Sequence, residues 1–224
     1  MNVSLSRFLE IDNGMLPAKA IITDDPMRVK MLAAHYLENA VIVSEKRGMI
    51  AYSGNIDGTP LCLLSSGYGE SALLNWLYDA YGYGVREVIY IGECISRLSE
   101  LKLRSIVVPH KAIGKSSNEQ PSSILLEKAK NTAARINLRA YTAETYTDDR
   151  YWTKEDSVFK GKNIIDCTAC GLFRFAREKG INALVILTVS EHAVTGERVD
   201  EAERQSRFFD ASRLTFEILK EGGH

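Results

Sequence analysis

Residues 183–189, read ALVILTV, form a run of apolar or β-branched side chains without a charge. The run is too short to cross a membrane, and its composition is typical of a β-strand that is buried on both faces. The chain turns polar directly after it, at Ser190, Glu191 and His192. In open α/β sheets, ligands bind outside the carboxyl ends of the strands. This strand end is therefore the first candidate for a functional site, although a solvated turn would give the same pattern.

Other apolar runs alternate with segments of helical spacing along the rest of the chain. Because strands that alternate with helices build helix-covered sheets, we expect an α/β sandwich around one central sheet, in one domain over residues 1–224. Predicted helices cover residues 27–37, 72–81, 122–134, 166–176 and 201–219. Predicted strands cover residues 20–22, 40–43, 49–54, 61–64, 88–91, 105–109, 163–165 and 183–189. We expect a loop over residues 112–121 and an exposed, charged flap over residues 148–156.

The charge balance excludes several classes of partner. The chain carries 28 Lys and Arg against 29 Asp and Glu, which gives a formal net charge of −1 and no electrostatic case for nucleic acid or an anionic membrane. No apolar run approaches the roughly 20 residues that a membrane-spanning helix needs. The N-terminal residues lack the pattern of a signal peptide. We therefore expect a cytoplasmic protein that acts on small molecules.

The cysteines give only a weak signal. Cys62, Cys94, Cys167 and Cys170 lie in or next to apolar runs, and the last two are spaced C-x-x-C. No second pair and no histidine cluster completes a zinc set, so buried cytosolic thiols are the favoured interpretation. We expect neither a metal nor a cofactor.

Several short motifs occur in a fixed order that is more informative than any one of them. The series runs through Asp25-Pro26-Met27-Arg28, Arg47-Gly48-Met49, Ser66-Gly67-Tyr68-Gly69, Ile91-Gly92-Glu93-Cys94, Val189-Ser190-Glu191-His192 and Glu203-Arg204-Gln205. Over roughly residues 18–220 the series resembles the family of hexameric purine nucleoside phosphorylases and uridine phosphorylases. The resemblance implies a three-layer α/β/α sandwich with a central mixed β-sheet. It also implies phosphorolysis of a purine or pyrimidine nucleoside to a free base and a pentose 1-phosphate. Homo-oligomers, dimers or trimers of dimers, are expected.

The resemblance further implies where phosphate would bind, and there this chain departs from the family pattern. The family uses the glycine and arginine of a G-D-P-x-R segment, the arginine of R-G-M from a neighbouring subunit, and the arginine and Ser/Thr of R-V-G-[ST]-C-G. Arg28 and Arg47 are retained at their motif positions, whereas the other three positions are Asp24, Tyr90 and Glu93. The site would therefore hold two arginines and two carboxylates instead of three arginines.

The implied nucleoside site is also altered. The family binds ribose on a V-E-M-E-A segment, which reads IDCTA at residues 165–169, so Thr168 replaces the glutamate that holds the sugar hydroxyls. The S-D pair that protonates purine bases reads Ser190-Glu191, which makes Glu191 the candidate catalytic acid. By position, the candidate nucleoside-binding residues are Tyr68, Cys167, Thr168 and Ser190.

The charges at the implied phosphate site favour a closed pocket. Two like charges about 4 Å apart repel by about 4 kcal/mol at an effective dielectric of about 20. A salt-bridged, phosphate-free pocket is therefore favoured, with Arg28 paired to Asp24 or Glu93 and Arg47 at a subunit interface. Three functions stay open: an active phosphorylase with a rebuilt pocket, a nucleoside N-glycosidase in which Asp24 or Glu93 activates water, and a catalytically inactive paralogue that acts as a binding or scaffold subunit.

Several aromatic and histidine side chains have two interpretations. Tyr68, Tyr90, Tyr151 and Trp152 could stack on a base, although packing is favoured for the first two. His192 could orient Glu191 or could be a solvated turn residue. Thr168 could bind a sugar hydroxyl, although capping or packing is commoner for a threonine beside an apolar helix.

Overall fold

The structure is a computed structural model that describes residues 8–11, 14–148, 161–206 and 209–220. Within these residues the strands belong to one sheet of ten strands. The strands are β1 (Lys19–Thr23), β2 (Glu38–Lys46), β3 (Met49–Ile56), β4 (Thr59–Ser65), β5 (Glu87–Ser96), β6 (Ile106–Ile113), β7 (Asn118–Glu119), β8 (Ala140–Thr147), β9 (Ile164–Asp166) and β10 (Asn182–His192). The helices are α1 (Pro26–Tyr36), α2 (Glu70–Gly82), α3 (Ser123–Arg135), α4 (Ala169–Lys179), α5 (Glu201–Ser206) and α6 (Phe209–Lys220).

The sheet has two parts that share β5. Strands β10, β6, β8, β9 and β5 are neighbours in that order, and β10 also pairs with β5, so these five strands close into a ring. From β5 the sheet continues as an open layer through β1, β4, β3 and β2. The pairs β1–β4, β1–β5 and β10–β5 are parallel, whereas β2–β3, β3–β4 and β10–β6 are antiparallel. The expected central mixed sheet is confirmed.

Helices cover both faces of the sheet. Helices α2 and α4 pack in one hydrophobic cluster, and α1, α3 and α6 pack in a second one. Successive side chains of β5 point alternately into the two clusters, with Val88 and Tyr90 in the first and Ile89 and Ile91 in the second. Residues 183–189 are likewise buried throughout and alternate between the clusters. The predictions of a three-layer sandwich and of a strand buried on both faces are therefore confirmed.

The start of α1 follows from its sequence. The Asp25 side chain accepts a hydrogen bond from the Met27 N–H at 2.7 Å, and Pro26 occupies the first helical position, where a missing N–H costs nothing. This cap places Arg28 in the first turn of the helix, close to the end of β1. The cap therefore positions the side chain on which the candidate site is centred.

The expected end of the last strand is wrong. β10 does not stop at Val189 but continues through His192, with a register shift against β5 around Ser190. Ser190 and His192 are only 3% and 6% exposed, so this is not a solvated turn. The reason is that β5 also continues to Ser96 and keeps the backbone of the polar residues paired.

Other boundaries differ because polar residues can be buried in strands. β8 has no counterpart among the predicted strands, since its sequence AYTAETYT lacks a long apolar run. The expected loop over residues 112–121 contains the end of β6 and the short strand β7. The helix expected over residues 166–176 begins instead at Ala169, since Asp166 ends β9. The helix expected over residues 201–219 corresponds to α5 and α6, with residues 207–208 outside the described residues.

Most of the expected flap lies outside the described residues, including Tyr151 and Trp152. Its first residue, Asp148, is described, and it is buried rather than exposed, at 7%. Its N–H donates to the Asp166 carbonyl at 2.9 Å, which holds this end of the segment against β9. None of the helices in the described part of the chain has the length and hydropathy of a membrane span.

Candidate functional site

The candidate site residues meet at the carboxyl ends of three parallel strands. Asp24 directly follows β1, Ser66 directly follows β4, and Glu93 lies in the last part of β5. The loops after β1 and β4 are joined by backbone bonds, since the Ser66 and Gly67 N–H groups donate to the Thr23 and Asp24 carbonyls at 2.9 and 3.1 Å. Polar side chains therefore converge at the carboxyl ends of β1, β4 and β5, the edge at which open α/β sheets bind ligands.

Arg28 is the centre of the charged half of this site. Its side chain is 2% exposed, and its NH1 donates to Thr23 Oγ1 and Asp24 Oδ1, both at 2.9 Å. Its NH2 lies 3.3 Å from Glu93 Oε1. The favoured pairing of Arg28 is thus present, and it involves both carboxylates. A buried guanidinium held by two carboxylates is already neutralised before any anion arrives.

A second arginine, which the motif series did not mark as a site residue, completes the charged cluster. Arg204 on α5 places its NH1 3.4 Å from Glu93 Oε2, and its carbonyl accepts from Arg28 NH2 at 2.7 Å. We refer to Asp24, Arg28, Glu93 and Arg204 as the charged cluster. The signal for Arg204 was its place in the last motif of the ordered series, Glu203-Arg204-Gln205.

The neighbour of Arg204 holds α5 in place. The Glu203 carboxylate forms an ion pair with Arg104, in which NH2 and Oε2 are 2.6 Å apart. The Glu203 N–H donates to Asp200 Oδ1 at 2.7 Å, so the Asp200 side chain caps the start of the helix. Glu203 therefore faces away from the charged cluster toward Arg104 while Arg204 faces Glu93.

The environment of Glu93 changes the protonation of its carboxyl. Burial raises its pKa above the usual glutamate value, and the negative charge of Asp24 raises it further. Arg28, Arg204 and the Ser190 hydroxyl act in the opposite direction. Because the net direction is upward, Glu93 takes up a proton more readily than an ordinary surface glutamate.

Arg47 does not join the charged cluster within one protomer. It lies in the turn between β2 and β3, with a positive φ of 54°, and its side chain is exposed. Its guanidinium is 5.3 Å from the centre of the Phe8 ring. Among the described residues no ion pair joins Arg47 to Asp24 or Glu93. Arg204 therefore supplies the second positive charge that was expected from Arg47.

The residues that the motif resemblance implies for nucleoside binding, together with Tyr90, have a different character, and we call them the nucleoside side. Tyr68 lies in the loop after β4 and is 65% exposed, so the packing role that was favoured for it is wrong. Tyr90 is 1% exposed and packs in the cluster with α2 and α4, as expected. Cys167 and Thr168 lie between β9 and α4 and are buried at 8% and 1% exposure. These four residues supply hydroxyl and thiol groups and an exposed ring, and none of them carries a charged side chain.

Thr168 does not cap α4 with its side chain. Asp166 does so instead, because its Oδ1 accepts from the Thr168 and Ala169 N–H groups at 2.8 and 2.7 Å. The Thr147 hydroxyl donates to the same carboxylate at 3.1 Å. Burial raises the pKa of Asp166, and the two backbone N–H groups partly offset that effect. The carboxylate of the 165–169 segment is therefore engaged in holding the helix.

Glu191 forms an ion pair with Arg198, a residue that was not among the predicted site residues. Its Oε1 accepts from Arg198 NH2 at 3.0 Å, and the two residues also form an isolated antiparallel β-bridge. His192 points elsewhere, with Nε2 3.2 Å from the Leu98 carbonyl and Nδ1 3.3 Å from the Thr195 N–H. The His192 ring therefore fixes the loop after β10, and its bonds to described residues do not orient Glu191.

The comparison with known proteins now decides the family. The family model described as the phosphorylase superfamily matches residues 18–221. This chain belongs to the phosphorylase superfamily. Among curated relatives, the DeoD-type purine nucleoside phosphorylase of Psychromonas ingrahamii is 31% identical over 216 residues, which is 88% of this chain and 90% of the relative. The corresponding protein of Colwellia psychrerythraea is 29% identical over 228 residues, 94% of this chain and 97% of the relative.

A solved structure has the same fold at low sequence identity. The crystal structure of purine nucleoside phosphorylase from Toxoplasma gondii in complex with immucillin-H superposes with a TM-score of 0.84 and covers 92% of this chain and 91% of that one. Its sequence identity is 16%, so this likeness concerns the fold. The resemblance seen in the motif series is confirmed, and this superfamily member carries the charged cluster at its strand ends.

The four cysteines of this superfamily member are free and buried. Burial raises the pKa of Cys62 to about 12 and that of Cys94 well above the usual thiol value. Such thiols are poor nucleophiles and poor metal ligands at neutral pH. Within the described residues, no three His, Cys, Asp or Glu side chains are grouped so that they could hold a metal ion.

Proposed function

We propose that this chain binds a nucleoside at the carboxyl ends of β4, β5 and β10 and cleaves its N-glycosidic bond, with a phosphate subsite that is closed by the charged cluster. The closed phosphate subsite rests on the contact of Arg28 with both Asp24 and Glu93. Membership of the superfamily and the purine nucleoside phosphorylase relatives support the binding and cleavage of a nucleoside. The substrate class that follows is a purine or pyrimidine nucleoside.

Phosphate has an unfavourable place to bind in this subsite. A phosphate dianion would have to break the bonds of Arg28 to Asp24 and Glu93, which are 2.9 and 3.3 Å long. It would then lie beside two carboxylates, each repelling it by about 4 kcal/mol per unit charge at about 4 Å and a dielectric of about 20. Arg204 offers no free positive charge, since it is paired with Glu93. We therefore expect phosphorolysis to be much slower than in relatives that keep the family pattern.

The leaving base would be protonated by Glu191. This carboxyl is 14% exposed, lies at the end of β10, and is held by Arg198 at 3.0 Å. An acid beside the leaving group assists departure of the base, typically by a factor of about 100 to 10,000. The exposed Tyr68 ring would stack on the base, while Cys167, Thr168 and Ser190 would line the pentose.

Water is the second candidate nucleophile, and the environment of Glu93 favours it. A buried carboxyl with a raised pKa is a better base than a surface one. Glu93 would take a proton from water, the water oxygen would bond to C1′, and the electron pair of the C1′–N bond would pass to the base, which Glu191 protonates. The products would be a free base and a free pentose instead of a pentose 1-phosphate.

Product analysis distinguishes these reactions. The purified chain is incubated with inosine or uridine, with and without millimolar phosphate, and the free base, pentose and pentose 1-phosphate are separated. Base release that is independent of phosphate and yields free pentose supports the water reaction. Pentose 1-phosphate formed at rates like those of the relatives would contradict the closed subsite. Nucleoside binding without any release would identify an inactive paralogue that acts as a binding subunit.

We also propose that the chain forms a homo-oligomer, either a dimer or a trimer of dimers. Val41 and Ile42 on the edge strand β2 are 57% and 53% exposed, and the adjacent turn carries Arg47. Exposed apolar side chains on an edge strand favour association with another surface. Sedimentation that shows a monomer at micromolar concentration would contradict this proposal.

A further inference from the structure

The Tyr90 hydroxyl is a buried polar group without a hydrogen-bond partner among the described residues. The residue is 1% exposed and lies in β5, paired on one side with Ile22 of β1 and on the other with Val185 of β10. An unsatisfied buried hydroxyl costs about 1–3 kcal/mol. Native proteins keep few such groups, and each one calls for an explanation, such as a bound water, an ion or a functional role.

The position of the Tyr90 ring is held by the sequence around it. A Cβ atom at position 92 would overlap the ring, so Gly92 is the residue that leaves the ring its space. The ring packs in the core with α2 and α4, and its hydroxyl reaches the start of α4. The ring is therefore fixed, and its hydroxyl cannot turn to solvent to find a partner.

The surroundings of the hydroxyl specify what it can bind. Besides burial, Asp24 and Cys167 raise its pKa, whereas Arg28 and the nearby Thr168 hydroxyl lower it. The Thr168 hydroxyl lies near the phenol but does not meet the geometry of a hydrogen bond. Burial raises the pKa of Tyr90 well above its usual value, and Asp24 raises it further, so the phenol stays a neutral donor. A phosphate would be repelled by Asp24, whereas an alcohol can accept from the phenol and donate to a carboxylate at the same time.

We propose that the Tyr90 hydroxyl is a ligand-binding group that donates a hydrogen bond to a sugar hydroxyl of the bound nucleoside. This assignment rests on the proposed function and adds the pentose-binding group of the same site. It gives the site a neutral donor where the 165–169 segment has no free carboxylate, since Asp166 is engaged by Thr147 and the start of α4. Nucleosides with an intact pentose are therefore the expected ligands.

The change Tyr90→Phe removes only this hydroxyl and keeps the ring. Because the hydroxyl has no partner among the described residues, the melting temperature of the ligand-free protein should stay the same or rise. Affinity for inosine or uridine, measured by calorimetry, should fall about three- to tenfold, the range for one neutral hydrogen bond. The matched control is Tyr36→Phe, a tyrosine stacked on Phe216 in the cluster of α1, α3 and α6, which should leave the affinity unchanged.

Deoxynucleosides identify the sugar oxygen that is bound. The 2′-, 3′- and 5′-deoxy forms of inosine are titrated into the unmodified protein and into the Tyr90→Phe variant. One of them should bind equally to both proteins, because its missing hydroxyl is the partner of Tyr90. Equal affinity of both proteins for every nucleoside would overturn the assignment, as would a lower melting temperature of the ligand-free variant, which would mark a purely structural bond. If the unmodified protein bound neither inosine nor uridine, the proposed function itself would fail.

Discussion

The charged side and the nucleoside side are neighbouring parts of one site, and their polar groups are satisfied in opposite ways. On the charged side, Arg28 is buried and bonded to Asp24 and Glu93, and Arg204 pairs with Glu93 from α5. On the nucleoside side, Tyr68 is exposed and the Tyr90 hydroxyl has no partner among the described residues. One side is satisfied by the protein itself, and the other retains groups that a ligand can satisfy. In the proposed function, the nucleoside therefore binds on one side while the anion subsite on the other side is closed.

The largest expected effect tests the chemistry of the nucleoside side. The change Glu191→Gln keeps the size of the side chain and removes its acid, so base release from inosine or uridine should fall by about 100- to 10,000-fold. The matched control is Glu197→Gln, an exposed glutamate of the loop that follows β10, which should keep the rate. An unchanged rate in the Glu191 variant would remove this residue from the chemistry.

The second prediction converts the charged side into an anion site. The double change Asp24→Gly and Glu93→Ser takes both carboxylates away from Arg28, so phosphate affinity by calorimetry should rise at least about 100-fold. The control is Glu119→Gln, which should leave phosphate affinity unchanged. It removes a buried carboxylate that pairs with Arg177 outside the charged cluster. If the double variant still does not bind phosphate, the two carboxylates do not close the subsite.

The third prediction concerns the closure of the charged side by α5. In Arg204→Met, Glu93 loses one of its two arginines, so the free energy of unfolding in urea should fall by about 1–3 kcal/mol. The control Arg135→Met disrupts a more exposed ion pair, with Glu217, and should cost less than about 1 kcal/mol. Equal losses in the two variants would mean that the Arg204 contact stabilises the fold no more than an exposed ion pair does.

The smallest expected effect is a pH dependence of stability with opposite sign at two buried carboxyls. The pKa of Glu93 is raised, so its contribution to stability is complete below the pKa of the unfolded chain and is lost as pH rises through the raised value. Arg177 lowers the pKa of Glu119, so the contribution of Glu119 is complete at higher pH and is lost as pH falls through the lowered value.

Thermal unfolding from about pH 4 to about pH 7 tests this pair. As pH rises, Glu93→Gln should gain stability relative to the unmodified protein, because the variant has no buried carboxyl at this position that must lose a proton. Glu119→Gln should lose stability relative to the unmodified protein over the same range. Parallel pH profiles for the two variants would contradict the environments assigned to these carboxyls.

The sequence predicted the fold well where apolar patterns were strong. Residues 183–189 predicted a strand buried on both faces, and Asp25-Pro26 predicted the start of α1; both are confirmed. The pattern failed where polar residues are paired inside the sheet, as in β8 and in the extension of β10 through His192. Local sequence does not reveal such pairing, because it depends on which strand lies alongside.

The sequence predicted several residues of the candidate site but only some of the contacts between them. The motif series grouped Asp24, Arg28 and Glu93, which are in contact because Asp24 and Glu93 lie at the ends of parallel strands and Arg28 lies in the first turn of α1. It did not predict that Arg204 completes the charged cluster or that Arg198 holds Glu191, because both arginines come from the segment after β10. The Tyr90 hydroxyl, which has no partner among the described residues, is likewise a property of packing that only the folded chain displays.

The most direct test of the closed phosphate subsite is a calorimetric titration of phosphate into the unmodified protein. The pairing of Arg28 with Asp24 and Glu93 predicts no measurable heat of binding and no rise in melting temperature at millimolar phosphate. Binding with a micromolar dissociation constant would contradict this account, because it would require both carboxylates to lie away from the anion.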